Sequence, residues 1–215
     1  MKFEQVTLMY TGKKIFSNFS WKIESGIITC MMGSSGVGKT SLLRLASGLL
    51  KPQSGFIHKS KGRLSYIFQE PRLLPWYTVQ ENLMWMMDNK RKDGKRRSVL
   101  KLLDEVGLGD SASLYPNQLS GGMKQRLSIA RGFISNPDVL LMDEPFQNLD
   151  SKTRADIHQI LLRLWKKNKP TVLLVTHDLE EARALGHRVV YLKGLPVTIY
   201  EEFAGDKRTG SNTNI

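Results

Sequence analysis

Gly33-Ser34-Ser35-Gly36-Val37-Gly38-Lys39-Thr40 fits the pattern G-x-x-x-x-G-K-[ST]. Glycines at these positions let the backbone turn its N–H groups inward around phosphate oxygens, and a following helix presents its positive end to the same anion. Lys39 is then placed for the β- and γ-phosphates and Thr40 for a magnesium ion, with Ser41 next in the nucleotide-binding stretch. The flanks agree. Ile27–Met32 is a short apolar run of buried-strand character, and Lys39–Leu49 spaces Leu42, Leu43, Leu45 and Ala46 at helical intervals before Gly48.

Further out, Val139-Leu140-Leu141-Met142-Asp143-Glu144 is a second apolar run, ending in adjacent carboxylates. Beside a phosphate loop, Asp143 suits Mg²⁺, directly or through water, and Glu144 suits a general base for the attacking water because successive residues diverge. Thr171–Val175 and Arg188–Leu192 read as further strands, with a helix near 152–167. Toward the N-terminus, Lys2–Tyr10 and Phe16–Ile23 alternate apolar and polar residues about a turn at Thr11-Gly12, and short strands are expected after Gln53-Ser54-Gly55 and over Leu64–Phe68. Between about 76 and 133 the pattern turns helical, over Val79–Met87, Ser98–Val106 and Gly122–Ser135.

Strands alternating with helices predict a mainly parallel sheet covered on both faces. The expected fold is α/β: a P-loop NTPase core with a mainly parallel sheet, N-terminal antiparallel strands and an inserted helical subdomain. Residues 1–75 and 134–204 would form the nucleotide-binding core and 76–133 the helical insert. The polar segment at 205–215 reads as a disordered tail.

Composition narrows the setting. No apolar run in the 215 residues approaches the roughly 20 needed to span a bilayer. The N-terminus lacks the layout of a signal peptide. The single cysteine, Cys30, excludes an intrachain disulfide and reads as a buried strand residue. The net charge of +12 is largely scattered and reads as solvated surface, so no nucleic acid is expected. The dense run from Asn89 to Arg97 reads as an exposed connector between helices. Together these place the chain in the cytosol.

Leu119-Ser120-Gly121-Gly122-Met123-Lys124-Gln125-Arg126 adds a second anion site of hydroxyl, open backbone N–H groups and helix N-terminus. The octapeptide resembles the signature motif of ABC-transporter ATPases, and the resemblance covers about Val6 to Glu201. It implies a dimer, homodimeric or paired with a related ATPase, in which Ser120, Gly121 and Gly122 face the γ-phosphate held by the other subunit. It further implies that Tyr10 stacks on adenine, that Gln69 reaches Mg²⁺ and the attacking water, that Asp150 lies at the subunit interface, and that His177 hydrogen-bonds the γ-phosphate. Asn148 stands where many relatives carry a small residue. His58, His158 and His187 match nothing and read as surface or helix residues.

Gln69-Glu70-Pro71-Arg72-Leu73-Leu74-Pro75-Trp76 is similar to importers of nitrate, sulfonate and taurine. Such a resemblance implies transmembrane permease subunits, indirectly a solute-binding protein, and a peripheral place on the cytoplasmic face of the membrane. Trp76 and Tyr77 would either meet the permease or pack within the helical subdomain. An exporter or lipid-handling ATPase and a soluble ABC ATPase are the alternatives. A P-loop small-molecule kinase leaves residues 119–126 without a role.

Overall fold

The computed structural model describes residues 1–10, 12–59, 61–87 and 94–204. The predicted tail at 205–215, and the part of the predicted connector at 88–93, lie outside the described residues.

Two sheets form the frame. The smaller is antiparallel in the order β2-β1-β4, from β1 (Lys2–Tyr10), β2 (Lys13–Lys22) and β4 (Ser54–His58). The larger runs β5-β6-β7-β3-β8-β9, from β3 (Ile28–Gly33), β5 (Leu64–Ile67), β6 (Val139–Asp143), β7 (Thr171–Val175), β8 (Arg188–Lys193) and β9 (Thr198–Ala204). Its first five members pair in parallel, and β9 adds antiparallel to β8.

Parallel strands buried on both faces have no polar side to show, hence the unbroken apolar runs. Alternate residues feed opposite cores. Ile28 and Cys30 of β3, Leu140 and Met142 of β6, and Val172 and Leu174 of β7 join one cluster. Met31, Leu141, Leu173 and Val175 join the other. The first cluster is closed by Ile157, Leu161 and Trp165 of α5 (Ser151–Asn168) and by the helical stretch between β5 and β6. That stretch comprises α2 (Val79–Met84), α3 (Lys95–Glu105) and α4 (Gly121–Ile134). The second cluster is closed by α1 (Lys39–Ser47), through Leu42, Leu43 and Leu45, and by Phe3, Phe16 and Trp21 of the small sheet.

Three local departures from the sequence expectations have physical reasons. Lys95, Arg96 and Arg97 open α3 rather than belonging to a connector, because Gly94 at φ 81° lets the chain turn into the helix there. A short helix, α6 (Leu179–Leu185), follows β7 and is capped by Asp178, whose carboxylate accepts from the N–H groups of Glu180 and Glu181. Strand β9 completes the sheet edge where no strand was expected. Cys30 is fully buried as expected, and burial pushes its thiol up.

Candidate active site

Parallel pairing sends the C-terminal ends of β5, β6, β7 and β3 to one edge of the sheet, where ligands bind in open α/β folds. Each end hands over one part of the site: Gln69 after β5, Asp143 and Glu144 at β6, His177 after β7, and residues 33–40 after β3.

The phosphate loop closes on its lysine. The Lys39 ammonium donates to the carbonyls of Gly33 (2.8 Å) and Ser34 (3.0 Å). Burial lowers its pKa, while Glu144 and Asp143 act in the opposite direction. Gly38 sits at φ 109°, and a Cβ there would come within 2.7 Å of Ile15, so the loop is held against β2 at a position only glycine fits. Ser34, Ser35 and Gly36 are exposed, and Val37 is buried as the loop's anchor. The exposed backbone, helix start and buried cation together suit a polyphosphate.

Asp143 is held from two sides. Thr40 Oγ1 donates to its Oδ1 (3.1 Å) and the Tyr66 hydroxyl donates to its Oδ2 (3.2 Å). Burial pushes the carboxyl upward, against the lowering effect of those hydroxyls. The donor set around it is hard oxygen, as Mg²⁺ requires.

Glu144 leaves the line of β6 because its backbone turns left-handed, at φ 44°. Its N–H donates to Val175 O (3.1 Å), and its Oε2 lies 3.1 Å from His177 Nδ1. This backbone turn, rather than simple strand alternation, is what separates the two carboxylates. Gln69 turns its amide onto Gln147 Oε1, and the Gln147 N–H in turn donates to Glu144 O (3.3 Å). The amide of Gln69 is therefore linked to the Glu144 loop rather than to Asp143.

Ser120, Gly122, Asn148, Asp150 and Thr153 line a separate recess, and no phosphate-loop residue is among the described residues lining it. Ser120 caps α4 by accepting from the Met123 N–H (3.3 Å), and Gly121 opens the helix. Asp150 caps α5 by accepting from the Thr153 N–H (2.9 Å), and these bonds hold its carboxyl below the usual carboxylate range. Asn148 lies at φ 62°, a left-handed turn that asparagine tolerates. Tyr10 is 42% exposed at the end of β1. Trp76 is 68% exposed and so does not pack inside the helical stretch.

Sequence reading missed several residues. The Arg154 guanidinium donates to Asp178 Oδ2 (3.0 Å) and to Leu149 O (3.1 Å), tying the Asp150 loop to the His177 loop. His158 is on a helix as expected, yet its side chain is largely buried against Glu181 (2.9 Å) rather than at the surface. His187 belongs to the loop before β8, where its Nδ1 meets the Ile28 N–H at 3.3 Å. The available signal was the run Thr176-His177-Asp178 followed by Glu180-Glu181, a capping pattern before a short helix.

The ABC transporter family model matches residues 16–147. An aliphatic sulfonates import ATP-binding protein of Pseudomonas syringae pv. tomato is 40% identical over 90% of this chain and 82% of its own length. A nitrate import ATP-binding protein of Synechocystis is 38% identical over 95% and 83%. Among solved structures, the ATP-binding cassette MJ0796, seen as a dimer in a post-hydrolysis state bound to ADP and phosphate, superposes with a TM-score of 0.78 at 31% identity, covering 94% of this chain and 97% of that one. With a family model that matches more than half of its residues and relatives this similar, the chain belongs to the ABC transporter family, as one of its ATP-binding and ATP-hydrolysing subunits.

Proposed function

We propose that this subunit drives import of small oxyanion-bearing solutes of the sulfonate and nitrate kind, working as a dimer under separate permease subunits that receive solute from a binding protein. Support for the solute class comes from relatives named for sulfonate and nitrate import. Its place is the cytoplasmic face of the membrane. No helix among the described residues is long and apolar enough to cross a bilayer, so the crossing falls to the permease.

One observation carries the mechanism. The recess with Ser120 and Asp150 shares only Asn148 with the recess of Glu144 and His177, and no phosphate-loop residue lines it among the described residues. A second copy, set head to tail, brings its Ser120–Gly122 segment to the first copy's phosphate loop. ATP then favours the closed pair, since half of each site exists only there.

Within the closed site, Tyr10 stacks on the base and residues 33–41 wrap the phosphates. Thr40, Asp143 and Gln69 would hold magnesium, which would supply charge neutralisation at the phosphates. Glu144 accepts the proton of the attacking water, held in place by His177, and Lys39 and His177 stabilise charge gathering on the γ-phosphate. Residues 76–133 carry the motion to the permease, with exposed Trp76 at the contact. Reconstituting the chain with its permease and binding protein, and following uptake of labelled alkanesulfonate and nitrate against ATP consumption, tests the reading. ATP use that neither solute stimulates would overturn it.

A further inference from the structure

Tyr66 lies on β5, the edge strand of the large sheet, one strand away from Asp143. Its ring stacks on Phe68 at 4.3 Å with an interplanar angle of 27°, and the Arg72 guanidinium sits over the other ring at 3.8 Å from its centroid. The carbonyl of Arg72 accepts from Arg131 of α4. This layered arrangement fixes the ring, and with it the direction of the hydroxyl toward Asp143 Oδ2.

Asp143 is only 8% exposed, so water supplies little of the hydrogen bonding its charge requires. Thr40 serves Oδ1, and on the reading above its hydroxyl would also be needed by the metal. Tyr66 serves the other oxygen and has no such second duty. Partners of this kind orient a metal-holding carboxylate and keep it charged.

We propose that Tyr66 is the positioning residue for Asp143, fixing the carboxylate through Oδ2 so that Oδ1 faces the metal. This rests on the reading above that Asp143 holds magnesium.

The test measures binding in full-length protein carrying Glu144→Gln, so that nucleotide is not consumed. Affinity for a fluorescent ATP analogue is titrated with Mg²⁺ and with chelator, in three forms: otherwise unchanged, Tyr66→Phe, and Asp143→Asn. Phenylalanine keeps the ring and its stack and removes only the hydroxyl. The expected result is that chelated nucleotide binds all three alike. The gain in affinity brought by Mg²⁺ falls about tenfold in Tyr66→Phe and disappears in Asp143→Asn. If Asp143→Asn loses the gain and Tyr66→Phe keeps all of it, the positioning role is overturned and the metal reading stands. If Asp143→Asn also keeps it, the metal reading fails and the proposal fails with it.

Discussion

Glu144 Oε2 and His177 Nδ1 meet at 3.1 Å, joining the ends of β6 and β7 although 33 residues separate them in the chain. The contact orients a carboxylate whose own backbone, at φ 44°, already points it away from Asp143. Glu144→Gln keeps the size and the contact and removes the basicity. Hydrolysis should fall at least about 100-fold while ATP binding persists. Phosphate release and size-exclusion chromatography in ATP check this, with an ATP-stabilised dimer as the expected species. A normal turnover rate would remove Glu144 from the role of base.

Ser120 both caps α4 and lines the recess that the proposed dimer would turn toward the other subunit. These duties separate by substitution. Ser120→Ala should cost about 1 kcal/mol of stability through the lost cap. Ser120→Asp keeps a good cap but sets a negative charge where a γ-phosphate must arrive, so thermal stability should hold while ATP-driven dimerisation is lost. Thermal melts beside sedimentation in ATP distinguish the two, and a dimer that survives Ser120→Asp would place Ser120 away from nucleotide.

Burial raises the pKa of Asp143, so its ionised form works against the fold. The folded protein holds this proton more tightly than the unfolded chain, and the contribution to stability therefore declines as pH rises from the ordinary carboxylate value through the raised one. Asp143→Asn removes that burden. In the absence of nucleotide and metal it should raise the melting temperature at pH 7 while abolishing hydrolysis. The gain should shrink as the buffer is taken into the acid range. A lower melting temperature at pH 7 would contradict the sign.

Gly132 of α4 approaches the sheet closely: a Cβ there would lie 2.7 Å from Ile67 Cδ1 and 3.2 Å from Leu140 Cδ1. Gly132→Val should force α4 outward at a cost of about 2 kcal/mol, read as a lower midpoint in urea. An unchanged midpoint would mean that the helix–sheet spacing yields freely.

The fold's centre was legible because burial on both faces leaves stretches such as Val139–Met142 and Val172–Val175 with nothing but apolar residues to show. Residues 33–40 and the Asp143-Glu144 pair stood out in the sequence for a related reason, since the phosphate and metal chemistry proposed for them demands contiguous residue types. The link from Arg154 to Asp178 and that from Gln69 to Gln147 were not. Both join polar side chains brought together by chain folding, and no local spacing records them. Helix α6 is too short for periodicity to speak, with only its capping carboxylate to mark it. Strand β9 lies on an edge, and its sequence, Thr198–Ala204, has no unbroken apolar run of the kind the central strands carry.

Tyr10 rides on the small antiparallel sheet, whereas residues 33–40 issue from the large parallel one. On the proposed reading, the contact with the base and the contact with the phosphates are thus carried on different scaffolds. A substitution at Tyr10 would therefore loosen the grip on the base while leaving in place the loop that wraps the phosphate chain.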